Sequence, residues 1–195
     1  MSRIRNRSGW LMLLIFFVLS AMPGCEQEKT KMVYTLKEAD KLPAEVYQVY
    51  STLIDRQYID QDYVMIQQET DTTTFPQACQ QMLHSDTTGI NQATIDRYLH
   101  GNNFSKNLGD NFETQVMVRR ITREEFDSYE SWDRFHEKYP GAEGLIRLSL
   151  PGFNEDTTKA VFDYAWHTGY ATVKNYLVFF EYRDGEWQMD AHEPV

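Results

Sequence analysis

The sequence predicts an α+β domain, with an N-terminal amphipathic helix and shorter helices packed on a curved antiparallel sheet that ends in a four-stranded meander. Three observations carry this expectation. Residues 43–57 repeat apolar side chains at helical spacing. From Gly144 to His192 four strand-like runs are separated by turn residues. Asp184-Gly185, set between two aromatic runs, is the strongest hairpin signal in the chain.

Taken in order, Glu26 to Lys41 is charged and has little periodicity, so residues 25–42 read as a tether to a single domain at 43–195. The sixteen residues from Glu26 to Lys41 would reach at most roughly 50–58 Å when fully extended. The alternative has Met32 to Leu36 packing on the domain as an edge strand. Pro43 suits the first turn of a helix running to Gln57, with Val46, Val49, Tyr50, Leu53 and Ile54 on one face. Tyr63 to Thr70 reads as a short strand and Asp71 to Thr74 as a polar loop.

Phe75 to His84 fits a short helix with Ala78, Met82 and Leu83 inward. Asn91 is a natural N-cap for a second helix, which carries Ile95, Tyr98 and Leu99 on one face and ends at Gly101. A loop rich in Gly and Asn follows to Asn111. Gln115 to Ile121 alternates as a strand, and Thr122-Arg123-Glu124-Glu125 has capping-box form. Ser131 to Tyr139 continues or restarts that helix, with Trp132, Phe135 and Tyr139 on one side.

The C-terminal strands are expected at Gly144–Leu150, Lys159–His167, Val173–Arg183 and Trp187–His192. Pro151-Gly152 with Asn154, then Gly169, then Asp184-Gly185 mark the breaks. In Asn175 to Tyr182 large apolar residues occupy both phases. That pattern suits a central strand covered on both faces, or a curved sheet around a core.

The N-terminus has the zoning of an export signal. Arg3, Arg5 and Arg7 give a positive start without an acid, and Trp10 to Ala21 is an apolar run of 12 residues. A helix needs about 20 residues to cross a bilayer, so this run is too short for a lasting anchor. Met22-Pro23-Gly24-Cys25 follows. It resembles the lipobox of bacterial lipoproteins, in which a small residue precedes the cysteine that is acylated and becomes the mature N-terminus. The resemblance implies a signal peptide at 1–24, lipid on Cys25, and a place in the cell envelope (the outer membrane if there are two). An ordinary secretory signal would want a small residue where Pro23 stands.

Without residues 1–24 the chain keeps 171 residues and loses three arginines, so its formal charge goes from -10 to -13. That balance argues against nucleic acid and against electrostatic adhesion to anionic lipid. Membrane attachment would then come from the acyl chains, of which two or more anchor stably. Once Cys25 carries lipid, Cys79 has no intramolecular partner. The domain must hold together by burial, for which its aromatics from Phe126 to Trp187 are suited. The block LSLPGFNEDTTKAVFDYAWHTG with YLVFFEYRDGEWQMD is similar to a pattern in uncharacterised bacterial envelope lipoproteins. This resemblance bears on fold and location and transfers no active-site residue.

Chemistry-bearing residues are few. The histidines His84, His100, His136, His167 and His192 form no i, i+4 pair and no Cys/His zinc pattern, so no metal or cofactor is expected. His167 and His192 lie on strands that could be neighbours, and with Asp163, Trp166 and Asp190 they are the candidate pocket. The plainer reading places both histidines near solvent at strand ends. Cys79 lacks the flanks of known cysteine hydrolases, and burial is the usual fate of such a thiol. Ser149 lacks the glycines of a nucleophile elbow. Asp60-Gln61-Asp62 and Asn154-Glu155-Asp156 gather oxygens, but without EF-hand length they read as solvated turns. Phe153, Phe162, Tyr164, Trp166, Tyr176, Phe179 and Trp187 either line a concave pocket or fill the core, and the core is preferred.

Two functions remain in view. One is a non-enzymatic envelope module that binds a protein or polymer. The other is a pocketed α+β domain, NTF2-like or cystatin-like in its order of helix then meander, that binds or hydrolyses a small molecule.

Overall fold

The computed structural model describes residues 34–85, 89–129 and 131–195, without the side chains of 82–85. The signal segment, Cys25, most of the tether and the side chains of Met82, Leu83 and His84 therefore lie outside the described residues. Five helices and seven strands follow in chain order: α1 (Ala44–Gln57), β1 (Tyr63–Gln67), α2 (Pro76–Ser85), α3 (Gln92–Gly101), β2 (Met117–Ile121), α4 (Arg123–Asp127), α5 (Trp132–Lys138), β3 (Leu145–Leu148), β4 (Gly152–Phe153), β5 (Lys159–Gly169), β6 (Thr172–Arg183) and β7 (Glu186–Pro194). The result is a mixed α+β fold with helices packed against a largely antiparallel, open sheet.

The sheet order is β2-β1-β3-β5-β6-β7, with β4 beside β5. From β3 onward the pairing is the expected antiparallel meander. The departure is at β1, which runs parallel to both of its neighbours. Parallel neighbours need crossover connections. Here α2 and α3 join β1 to β2, and α4 and α5 carry the chain back to β3 on the other side of β1. The five buried residues of β1, Tyr-Val-Met-Ile-Gln, have the continuous burial of a parallel strand.

Alternation along the strands divides the interior into two faces. Val64, Ile66, Ile146, Phe162, Val178 and Phe180 face α1, whose Val46, Val49, Tyr50, Leu53 and Ile54 are all buried against them. Val161, Leu177 and Phe179 face the other way, onto Cys79, Ile95 and Tyr98 of α2 and α3. On that second face Tyr63, Met65, Ile121 and Leu145 meet Phe135 of α5. The two-phase apolar pattern of β6 thus reflects a sheet covered on both sides.

Local chemistry explains most boundaries. Asn91 caps α3 by accepting from the backbone N–H of Thr94 at 3.0 Å, and Ser131 caps α5 through Arg134. Thr122 Oγ1 accepts from the N–H of Glu125 at 3.0 Å. The reciprocal half of that capping box does not form, because the Glu125 side chain is drawn into the aromatic layer. Asp184 and Gly185 both have positive φ, 56° and 91°, as a two-residue hairpin twisted with its strands requires. Asn154 Oδ1 accepts from the N–H groups of Thr158 and Lys159, a turn held by its own asparagine.

Gly152, expected only as part of a Pro151-Gly152 break, instead opens the two-residue strand β4. It continues the line of β3 along the same edge of β5. Two side-chain amides also act as strand partners. Asn102 donates to the carbonyl of Leu150 and accepts from its N–H, at 2.8 and 2.7 Å. Gln68 does the same to Lys37, at 2.7 and 2.8 Å. Asp40 adds a backbone bond to Asn107. Residues 37–40, which the sequence assigned to the tether, are therefore fastened to the domain without forming a strand.

Candidate functional site

Strand β5 presents Val161, Asp163, Ala165 and His167 toward the α2–α5 side, and Ala160, Phe162, Tyr164 and Trp166 toward α1. The sequence-derived pocket is therefore divided by the sheet. Asp163 and His167 share one face, whereas Trp166 and His192 lie on the other. Asp190 is at the β6–β7 bulge, exposed and paired with Arg183.

Asp163 is 2% exposed. Its Oδ1 accepts a 2.5 Å hydrogen bond from the Tyr98 phenol, and its backbone N–H is held by Ser149 Oγ at 2.9 Å. Burial pushes the carboxyl up to about 7, aided by the charge of Asp71 and opposed by the bonds from Tyr98 and Ser149. Cys79 packs nearby and is fully buried, and burial with the Asp163 charge pushes its thiol up to about 12. These groups are a satisfied polar interior with no opening to solvent.

His167 is different, because it is half-buried at the end of β5. Arg147 Nη1 approaches its Nε2 at 3.4 Å, and the same guanidinium pairs with Asp71 at 2.7 Å. Burial, then the Arg147 charge, lower the His167 pKa, and Asp71 only partly offsets them. The imidazole is therefore neutral at pH 7, and opposite a guanidinium its Nε2 serves as the acceptor.

A cleft of about 290 Å³ opens where His167 meets the helical layer. Phe126, Tyr129 and Trp132 form one wall, and Gly169 and Tyr170 of the β5–β6 turn form the other. The wall is a set of edge-to-face rings: Phe126 to Trp132 at 5.4 Å and Trp132 to Phe135 at 5.1 Å. Beneath it Glu125 accepts from the phenols of Tyr129 and Tyr139 at 2.8 and 2.9 Å, and from Lys138 Nζ. Burial pushes the Glu125 pKa up, but these three donors outweigh it and hold the carboxylate ionised. Tyr170 is 74% exposed at the rim.

On the opposite face His192 stacks on Tyr176 at 4.3 Å and shares a 2.8 Å hydrogen bond with the Tyr164 phenol. Trp166 packs its ring against Tyr58 and under Lys174. Phe162 and Phe179 are fully buried on opposite faces, so the C-terminal aromatic run packs the core and lines no common pocket. Two further grooves flank α1, of about 420 and 250 Å³. Their shared residues serve the fold: Ser51 Oγ accepts from Glu113 N–H, and Gln48 Oε1 from Trp187 Nε1. Among the described residues no group of three His, Cys, Asp or Glu is placed to hold a metal ion.

Sequence reasoning named His167 but missed the partners that make its cleft. Arg147 and Asp71 carry no motif, and the spacing of Trp132 places it only on one side of a helix with Phe135 and Tyr139. The usable signal was the density of rings between Phe126 and Tyr139, too many for two short helices to bury. No family model matches the chain, no curated protein matches it, and no solved structure matches its fold.

Proposed function

We propose that this chain is a bacterial envelope lipoprotein, held to a membrane by acyl chains on Cys25, whose domain is a non-enzymatic binding module. The observation that carries the binding reading is the aromatic-walled cleft beside His167. It is the concavity where large apolar rings, a neutral imidazole and an exposed tyrosine converge, the mixture that recognition sites use. The reactive groups support the non-enzymatic side. Cys79 is sealed and hard to ionise, Asp163 and Tyr98 are committed to each other, and His167 is backed by a guanidinium.

The address rests on the zoning of residues 1–25. No helix among the described residues is long and apolar enough to cross a membrane. Intact-mass analysis of membrane fractions tests it directly: acylated Cys25 should be the first residue, and a soluble chain starting elsewhere would refute the assignment. Binding is tested by affinity capture of envelope components with the full chain against Trp132→Ala and His167→Ala. Capture that neither variant changes would remove the cleft from consideration.

The cleft volume also favours a second reading, a small-molecule site near the lower end of the usual range. A ligand-dependent change in Trp132 emission would support it. The NTF2-like or cystatin-like comparison rests only on the order of α1 followed by the β3–β7 meander, and helices on both faces tell against a hollow one-sided cone.

A further inference from the structure

We infer that the side of the domain bearing α4, α5 and the β5–β6 turn rests on the lipid surface, with Trp132 and Tyr170 seated in the bilayer interface. The inference rests on the reading of the chain as an anchored binding module, and it names the lipid interface as the partner of the cleft.

The argument begins with the length of chain left free. Gln68 pins Lys37 by two hydrogen bonds, and Lys37 Nζ pairs with Glu69 at 2.7 Å. The same Glu69 carboxylate accepts from the N–H of Arg123, the first residue of α4. The chain therefore leaves the domain beside the start of α4. From Cys25 to Tyr34 there are nine Cα steps, a reach of roughly 30–32 Å at full extension. Residues 34–195 should have a radius of gyration of about 15 Å, hence a diameter of about 40 Å. A tether shorter than the domain is wide cannot pass round it, so the side where it is rooted is turned toward the lipid.

That side carries the right chemistry. Tyr170 is 74% exposed and Leu36, beside the root, 43%. Trp132 is half-buried on the cleft wall. Tyr and Trp are the residues that favour the bilayer interface, having an apolar ring and a polar tip. The exposed charges of α4 and α5 are of both signs, Asp127 and Asp133 against Arg123 and Arg134, so the surface has no basic patch to draw anionic headgroups and suits zwitterionic lipid.

The test uses the full acylated chain, reconstituted in phosphatidylcholine vesicles whose acyl chains are brominated near the headgroup. Tryptophan emission should be quenched. Trp132→Phe should abolish most of the quenching, whereas Trp187→Phe should leave it. Tyr170→Ser, on an exposed turn, should at least halve it without changing the far-UV dichroism of the fold. A chain that floats with the vesicles but shows no quenching would overturn this orientation and leave the anchored reading intact. A chain that does not float would overturn both. Quenching that survives Trp132→Phe would place another face on the lipid, and loss of quenching on adding a purified envelope protein would reassign the cleft to a protein partner.

Discussion

The Tyr98 phenol of α3 reaches 65 residues along the chain to give Asp163 of β5 a 2.5 Å hydrogen bond inside the core. It joins a helix to the middle of the sheet through a carboxyl that burial has pushed up to about 7. The native state thus binds a proton on Asp163 where the unfolded chain, near 3.8, has lost it. The stability from this group is full below the unfolded value and declines as pH rises toward about 7. Urea midpoints for the wild type should fall between about pH 5 and about pH 8, and Asp163→Asn should remove a cost on the order of 2–4 kcal/mol. Equal slopes in the two proteins would refute this. His167 and His192, both lowered by burial, act oppositely and cost stability as pH drops below about 6.5.

Cys79 is expected to resist thiol reagents. Its sulfur is sealed between α2 and the sheet, and the thiolate needed for reaction is disfavoured up to about 12. Native protein at about pH 8 should label with iodoacetamide more than about 100-fold slower than urea-unfolded protein. Ready labelling under native conditions would show that α2 does not stay docked.

Gly152→Ala should be among the most damaging single substitutions. An added Cβ would stand 2.4 Å from the Tyr98 backbone nitrogen and 2.6 Å from the Thr94 carbonyl, and backbone cannot swing aside as a side-chain tip can. Separating α3 from β4 should cost about 1–3 kcal/mol, read as a lower Tm. Gly101→Ala, where nothing lies within 4 Å, is the matched control.

Glu125→Gln should loosen the α4–α5 layer by about 1–3 kcal/mol, since two phenols and an ammonium converge on that carboxylate. Its pKa is held below the ordinary 4.5, so its contribution is present above that value and disappears on acidification. The loss should register in α4–α5 amide exchange before it registers globally.

The secondary elements were legible because they rest on local chemistry. Asn91, Thr122 and Ser131 are caps whose roles can be read without knowing what they pack on, and Asp184-Gly185 dictates its own turn. The parallel direction of β1 was not legible, because a run such as Tyr-Val-Met-Ile is equally apolar whichever way its neighbours run. The same limit scattered the candidate site. A period of two places Asp163 with His167 and sets Trp166 apart, but which histidine meets which helix depends on the order of strands. The role of Gly152 is hidden for a related reason: a glycine at a turn and a glycine under a crossing helix look alike until the helix is in place.

The grip of Gln68 on Lys37 has a mechanical side. Gln68 follows the end of β1, next to the edge strand β2, so on the proposed anchoring at Cys25 a pull along the chain would meet its two hydrogen bonds to Lys37, beside the Lys37–Glu69 ion pair, before it meets the core. The next hold lies three residues further along, where Asp40 and Asn107 exchange two hydrogen bonds. On that proposed anchoring, the amide of one glutamine would give way before the fold does.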